Sequence, residues 1–214
     1  MVSRNLIVGL DPGGRNAFGW CVSEDTESLP LSVGNCGVAN HCQGAVDAIL
    51  GHAQVADRIA GVGIDSPLFW TPDGDRSVDK LLRQEIGRRG GPAGIIMSVN
   101  SLQGACLVQG VLAGQLIRRR FSDTRITESH PKALLWLLGL ARVGIRANEV
   151  LSSALSKFVV FSSSTISEHE RDAALGAVTA WAMLHAHRGW RNIAKDETNA
   201  IHPWDAPVSY WMPL

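Results

Sequence analysis

Short apolar runs ending in acidic residues open the chain, and longer helical periodicities follow. Leu6 to Leu10 is apolar or glycine at every position and reads as a central strand. It ends in Asp11, crosses Pro12-Gly13-Gly14 and resumes as Phe18 to Val22, the pattern of a strand, a tight turn and a returning strand. Leu31 to Val38 predicts a third strand, in which Gly34 and Gly37 mark a weak point or a bulge. Asn40 is placed to cap a helix over Ala45 to Ile59, where Val46, Ile49, Leu50, Ala53 and Ala56 recur at helical spacing, and Gly61 closes it. Val62 to Asp65 is then a second apolar run ending in aspartate. A helix between two strands is a crossover that makes them parallel, so Asp11 and Asp65 end on the same edge of the sheet. Open sheets gather their chemistry on that C-terminal edge.

Beyond Asp65 the periodicity weakens. An excursion over about residues 67–98, punctuated by TPDGDR and RRGGP, carries a short helix around Ser77 to Ile86. Ser101 to Phe121 is the next helix, with Leu102, Ala105, Val108, Leu112, Leu116 and Ile117 along one side and Arg118 to Arg120 at its end. Arg125 to Glu128 predicts a short strand stopped by His130-Pro131. Proline suits a first helical position, and a buried helix over Lys132 to Ala141 follows. Asn148 to Phe158 predicts another helix, and Glu168 to His187 the last long one, apolar nearly all round. Pro203, Pro207 and Pro213 argue against a helix in the extension over about 190–214. Three tryptophans there (Trp190, Trp204 and Trp211) predict a packed wrap over this domain or over a partner.

Composition narrows the class. Over 214 residues, 45 % are hydrophobic, and Lys+Arg and Asp+Glu balance at 20 each, which fits a single globular domain, 1–214. Zero net charge gives no bulk attraction for nucleic acid but leaves room for a local basic groove. The four cysteines form no CxxC pair, and the first ten residues do not read as a secretory signal, so a cytoplasmic setting with reduced thiols is expected. No run of roughly 18 uncharged apolar residues predicts a membrane span. The pattern leaves the oligomeric state open.

The chemistry is expected where acids converge. Asp11, Asp65 and Glu128 end three predicted strands, and Asp172 lies early in the last helix, three residues from His169 and four from Glu168. Carboxylates gathered in low dielectric repel one another, and hard cations such as Mg²⁺ or Mn²⁺, which prefer oxygen ligands, relieve that repulsion. Two ions about 3.5–4 Å apart would activate water and stabilise a leaving oxygen at a phosphate. Asp11, Asp65, Glu128 and Asp172 are therefore candidate ligands of one or two ions, Glu128 also for orienting water, and His169 for moving a proton. Arg76, Arg83, His130 and Lys132 are candidates for holding substrate phosphate. Each has a bland alternative: a turn-forming aspartate, a first-turn acid, a satisfied core histidine or a solvated charge.

The segments GLDPGG, GIDSP, RxxDxxLR (Arg76 to Arg83), TESHPKALLWLL and HERDAALGAVTAW, in that order, resemble the DUF429 family of predicted ribonuclease H-like nucleases. The resemblance spans about Leu6 to His187. It implies an α/β fold with a mixed five-stranded sheet in order 3-2-1-4-5, helices on both faces and acids on strands one and four. HxxDA at His169 to Ala173 is also similar to the last-helix motif of resolvase-like nucleases. Position by position, the resemblance makes Asp11, Asp65 and Asp172 metal-binding acids and Glu128 the glutamate of the ExHP segment. It implies a divalent-metal phosphodiester hydrolase acting on nucleic acid or a small phosphoester. Two other readings stay open: an actin-like ATPase or phosphotransferase holding nucleotide at Gly13 and Gly14, and a non-catalytic binding or scaffold module.

Overall fold

The computed structural model describes residues 3–69, 71, 76–97, 104–140, 154–162, 166–198 and 200–214. The opening apolar runs form β1 (Asn5–Asp11), β2 (Phe18–Glu24) and β3 (Leu31–Ala39), each antiparallel to the one before. Helix α1 (Cys42–His52) then crosses over to β4 (Arg58–Ile64), which lies parallel to β1 with Leu10 opposite Ile64. The excursion carries α2 (Ser77–Arg88) and a 3-10 turn at Ala93–Ile95, and α3 (Gly104–Arg120) leads into β5 (Arg125–Glu128), parallel to β4. After α4 (Pro131–Leu137) come β6 (Val159–Phe161), the long α5 (Glu168–Leu184), β7 (Arg191–Asn192) and β8 (Ser209–Met212).

Among the described residues the mixed sheet has eight strands in the order β6-β3-β2-β1-β4-β5-β8-β7, so the expectation of five is corrected. The run 3-2-1-4-5 sits inside it, resembling the ribonuclease H-like arrangement. The additions came from stretches whose sequence signals were weak. Val159–Phe161 is only three residues long and pairs parallel to β3, and the tail's Ser209–Met212 pairs parallel to β5. The predicted helix over Asn148 to Phe158 lies outside the described residues as far as 153; Ala154 and Leu155 are helical, and a turn follows in which the Phe158 N–H bonds the Leu155 carbonyl.

Two boundaries also move. His41, not Asn40, caps α1, its Nδ1 accepting from the Gly44 N–H at 3.2 Å. The helix ends at His52 rather than Ile59, because Asp57 organises the following loop by accepting from the Gln54 N–H and from Arg4. Gly61, expected to close that helix, lies within β4 under Leu184 and Ala180.

Helices cover both faces. Helices α1 and α3 lie on one: Trp20 faces His52 at 5.6 Å between ring centroids, and Gly110 packs on Ser66 and Ile64. Helix α5 lies on the other, its residues from Arg171 to Met183 all buried. Its backbone rests directly on the strands. A Cβ on Gly9 would fall 1.7 Å from the Ala173 carbonyl oxygen, and one on Gly63 would fall 1.9 Å from that of Gly176. Glycine inside a strand often marks such an approach, and here it brings the first turns of α5 to the end of β1. A capping box starts the helix: Ser167 Oγ accepts from the Glu170 N–H, and the Glu170 carboxylate accepts from the Ser167 N–H at 2.7 Å. Among the described residues no helix is long and apolar enough to cross a membrane.

Candidate active site

Sheet register brings three acids to one edge. Asp11 ends β1, Asp65 follows β4 with its N–H on the Leu10 carbonyl at 2.9 Å, and Glu128 lies opposite Ile64 at the end of β5. Helix α5 adds His169 and Asp172 from the far face. These five residues line one cleft of about 390 Å³, together with Lys132, His130 and Arg76. Of the residues expected to form the site, only Arg83 is outside that lining; its Nε donates to the Ile96 carbonyl at 3.1 Å.

The acids have different partners. Asp11 accepts from His169 Nδ1 at 2.7 Å, and burial pushes its carboxyl above the ordinary value against the pull of that histidine. Asp172, 4 % exposed, takes the Arg171 guanidinium on Oδ1, with Nε at 2.7 Å; burial nevertheless raises it to about 6. Asp65 is raised well above its ordinary value, first by burial and then by the charges of Asp11 and Asp172. Among the described residues its carboxylate has neither a hydrogen-bond nor an ion-pair partner. It is the least compensated charge at the edge.

Glu128 is different in kind. Expected beside a metal, it instead gives both oxygens to Arg76, at 2.8 and 2.9 Å, and accepts the Leu68 N–H at 3.0 Å. Arg76 also bonds both oxygens of Asp79 and stacks 4.4 Å above the Phe69 ring. Burial pushes the Glu128 carboxyl up and Arg76 pulls it back. Arg76, expected to hold phosphate, is therefore the counter-ion that ties the excursion to β5. Among the described residues no group of three or more His, Cys, Asp or Glu side chains is arranged to hold a metal ion.

The remaining candidates divide. Lys132 is exposed, and its Nζ lies 3.8 Å from Glu168 Oε1; its charge also reaches Asp11 and Asp65. The His130 Nε2 lies 3.0 Å from the Ile95 carbonyl, and burial lowers the ring to about 4, so it is neutral at physiological pH. Pattern reasoning passed over Arg171, Asp79 and Tyr210. Arg171 is adjacent to Asp172 in HERDA and Asp79 falls within RxxD, so both were visible as charge neighbours. Tyr210, buried beside Glu128, arrives from the tail and left no local signal.

No family model matches the chain, and no curated protein matches it. Among solved structures, that of Thermus thermophilus RuvC is similar at 13 % identity and a TM-score of 0.42, covering 85 % of this chain and 96 % of that one. T. thermophilus RuvC in complex with a Holliday junction substrate gives 11 % and 0.41, covering 84 % and 95 %. The yeast mitochondrial Holliday junction resolvase gives 13 % and 0.39, covering 87 % and 81 %.

Proposed function

We propose that this chain is a divalent-metal-dependent phosphodiester hydrolase of the ribonuclease H-like type, with Asp11 and Asp65 at its centre. The observation that carries the reading is Asp65: a carboxylate in a cleft, raised by burial and by neighbouring acids, within reach of the Lys132 charge but bonded to no cation among the described residues. The donor set fits Mg²⁺ or Mn²⁺, because such ions are commonly held by one or two carboxylates and complete their shell with water and substrate phosphate. Asp11 and Asp65 would hold the ion. Asp172, with Oδ1 on Arg171, would act on the ion through its charge and not as a third ligand, while Glu128 does not fit because Arg76 occupies both of its oxygens. When bound, the ion supplies charge stabilisation at the phosphate and a more acidic water.

The protein side chains supply the rest. His169 orients Asp11 through its Nδ1–H and is placed to move a proton at the cleft mouth. Lys132, the second residue of α4, offers an exposed ammonium to a substrate phosphate. Arg76 fixes Glu128 and the start of the excursion, so it positions and does not contact the reacting atoms. The order of motifs resembling DUF429 supports the same assignment. A cleft of about 390 Å³ favours a small phosphoester or a single nucleotide as the group bound, which is the second reading of the substrate.

The test is cleavage of bis(p-nitrophenyl) phosphate, single-stranded DNA and RNA with Mg²⁺ or Mn²⁺. Asp65→Asn is expected to lower turnover at least about 100-fold. Its melting temperature should stay level or rise, since a repelled carboxylate is removed. Unchanged turnover in that variant would overturn the assignment.

A further inference from the structure

A second cavity, of about 400 Å³, opens at the opposite edge of the sheet, where β5 begins with Arg125. It lies roughly 10 Å along that strand from Glu128 and the acidic cleft. Arg118 and Arg125 both line it. Arg118 Nη1 donates to the Thr124 carbonyl at 2.9 Å, and Arg125 Nη2 to the Met183 carbonyl at 3.4 Å. Thr124 and Met183 line the same cavity, so these bonds hold both guanidiniums at its wall. Arg118 lies in the last turn of α3 and Met183 in that of α5, where helix carbonyls favour a cation and fix it before any ligand arrives. A guanidinium carries five N–H donors, and one such bond leaves the others to spend. Arg4, Arg76 and Arg171 each hold a carboxylate, whereas Arg118 and Arg125 form no ion pair with a described residue. Asp123 also lines the cavity, where it accepts from Ser122 Oγ at 3.3 Å, so the lining carries two positive charges against one negative. Trp204, Met183 and Pro207 add apolar surface. The Trp204 indole is fixed against α3, since a Cβ on Gly114 would fall 2.9 Å from its Cη2.

We infer that this cavity binds a nucleoside phosphate, with the phosphate on the Arg118 and Arg125 guanidiniums and the base against the apolar surface around Trp204. Guanidinium–phosphate pairs are among the stronger hydrogen bonds a protein makes. Contact between a base and an aromatic side chain adds affinity whatever the base, because every base has a π-face. One surplus positive charge is a weak pull on an anion that lacks a ring, so phosphate and ring are both needed. The volume suits one nucleotide. That nucleotide can be free or can be the 5′-phosphorylated end of a strand. The site shares no residue with the cleft of Asp11 and Asp65 and does not depend on the hydrolase reading.

The experiment is calorimetric titration of the intact chain in EDTA, so that no divalent ion draws phosphate into the acidic cleft. The titrants are adenosine 5′-monophosphate, adenosine, ribose 5-phosphate and a short 5′-phosphorylated oligonucleotide. The monophosphate should bind about 10-fold more tightly than adenosine or ribose 5-phosphate. Arg125→Gln, at an exposed position, should weaken it about 10-fold while the melting temperature stays at the parental value. Arg118→Gln should weaken it similarly, and loss in one variant alone keeps the site and assigns the phosphate to that arginine. Asp65→Asn should bind the monophosphate as the parent does. Preference for the monophosphate identifies a free nucleotide, and preference for the oligonucleotide identifies a strand end; either supports the site. Parental affinity in both arginine variants overturns it, as do equal affinities for the monophosphate, adenosine and ribose 5-phosphate. Binding that vanishes in Asp65→Asn also overturns it, because the nucleotide then sits in the acidic cleft. Nucleotide binding that depends on Arg125 without any metal-dependent cleavage would keep this site and overturn the hydrolase reading.

Discussion

Arg76 is 1 % exposed and bonds both oxygens of Glu128 and both of Asp79, so one guanidinium is shared between two buried carboxylates. Taking three charges out of water is costly, and their attraction repays it only because every oxygen is bonded. Removing the cation alone forfeits that balance. Arg76→Met is expected to destabilise the chain by roughly 3–5 kcal/mol, read by urea denaturation. Much of the loss should be recovered in Arg76→Met combined with Glu128→Gln and Asp79→Asn, where no unpaired charge remains. A single variant within about 0.5 kcal/mol of the parent would show that the triad carries no such burden. Lysine at the same position should be a poor substitute, since a point charge cannot match two carboxylates as a planar fork does.

At the scale of elements, the seat of α5 on the sheet decides whether a site exists. The helix delivers His169 and Asp172, and its distance from β1 is set by Gly9 and Gly63. Gly9→Ala would push a methyl into the Ala173 carbonyl, a backbone atom that cannot swing aside. The expected cost is about 3 kcal/mol, with the His169–Asp11 bond broken and hydrolysis falling with it. Melting temperature and turnover check both halves; a protein of parental stability and activity would refute the seat. Much of this was legible beforehand. Apolar runs ending in Asp11 and Asp65, with helical spacing between them, required a crossover and a shared edge, and Glu128 followed from the brief run before His130-Pro131. The partner of each acid was not legible. RxxD looks like a solvent-facing helical pair until Arg76 turns inward to Glu128, and that turn depends on a strand 52 residues away. The Ser167 and Glu170 spacing of a capping box was readable, yet Glu170 reads equally as a simple first-turn acid.

Across the whole molecule, the C-terminal extension ties the excursion to the sheet. Strand β8 pairs with β5 through Glu128 and Tyr210, and it buries Tyr210 and Met212, with Val208 just before it. The same extension reaches α2, whose N-cap Arg76 offers no side-chain cap. Glu197 takes that role by accepting the Ser77 and Val78 N–H groups at 3.3 and 3.1 Å, and His202 rests 5.6 Å from the Phe69 ring. Deleting residues 190–214 would therefore bare the edge of β5, uncover the Arg76 triad and uncap α2 together. Losing the buried side chains of Ile193, Val208, Tyr210 and Met212 at roughly 1.5–3 kcal/mol each should lower the melting temperature by on the order of 10 °C. The opened strand edge should also promote association, visible as light scattering. Glu197→Ala isolates one link: it should cost about 1 kcal/mol, as loss of a helix cap does, and leave β8 in place. If the truncated chain scattered no more light than the intact one and kept its melting temperature, the extension would be a surface covering and the excursion would hold its place over Glu128 through Arg76 alone.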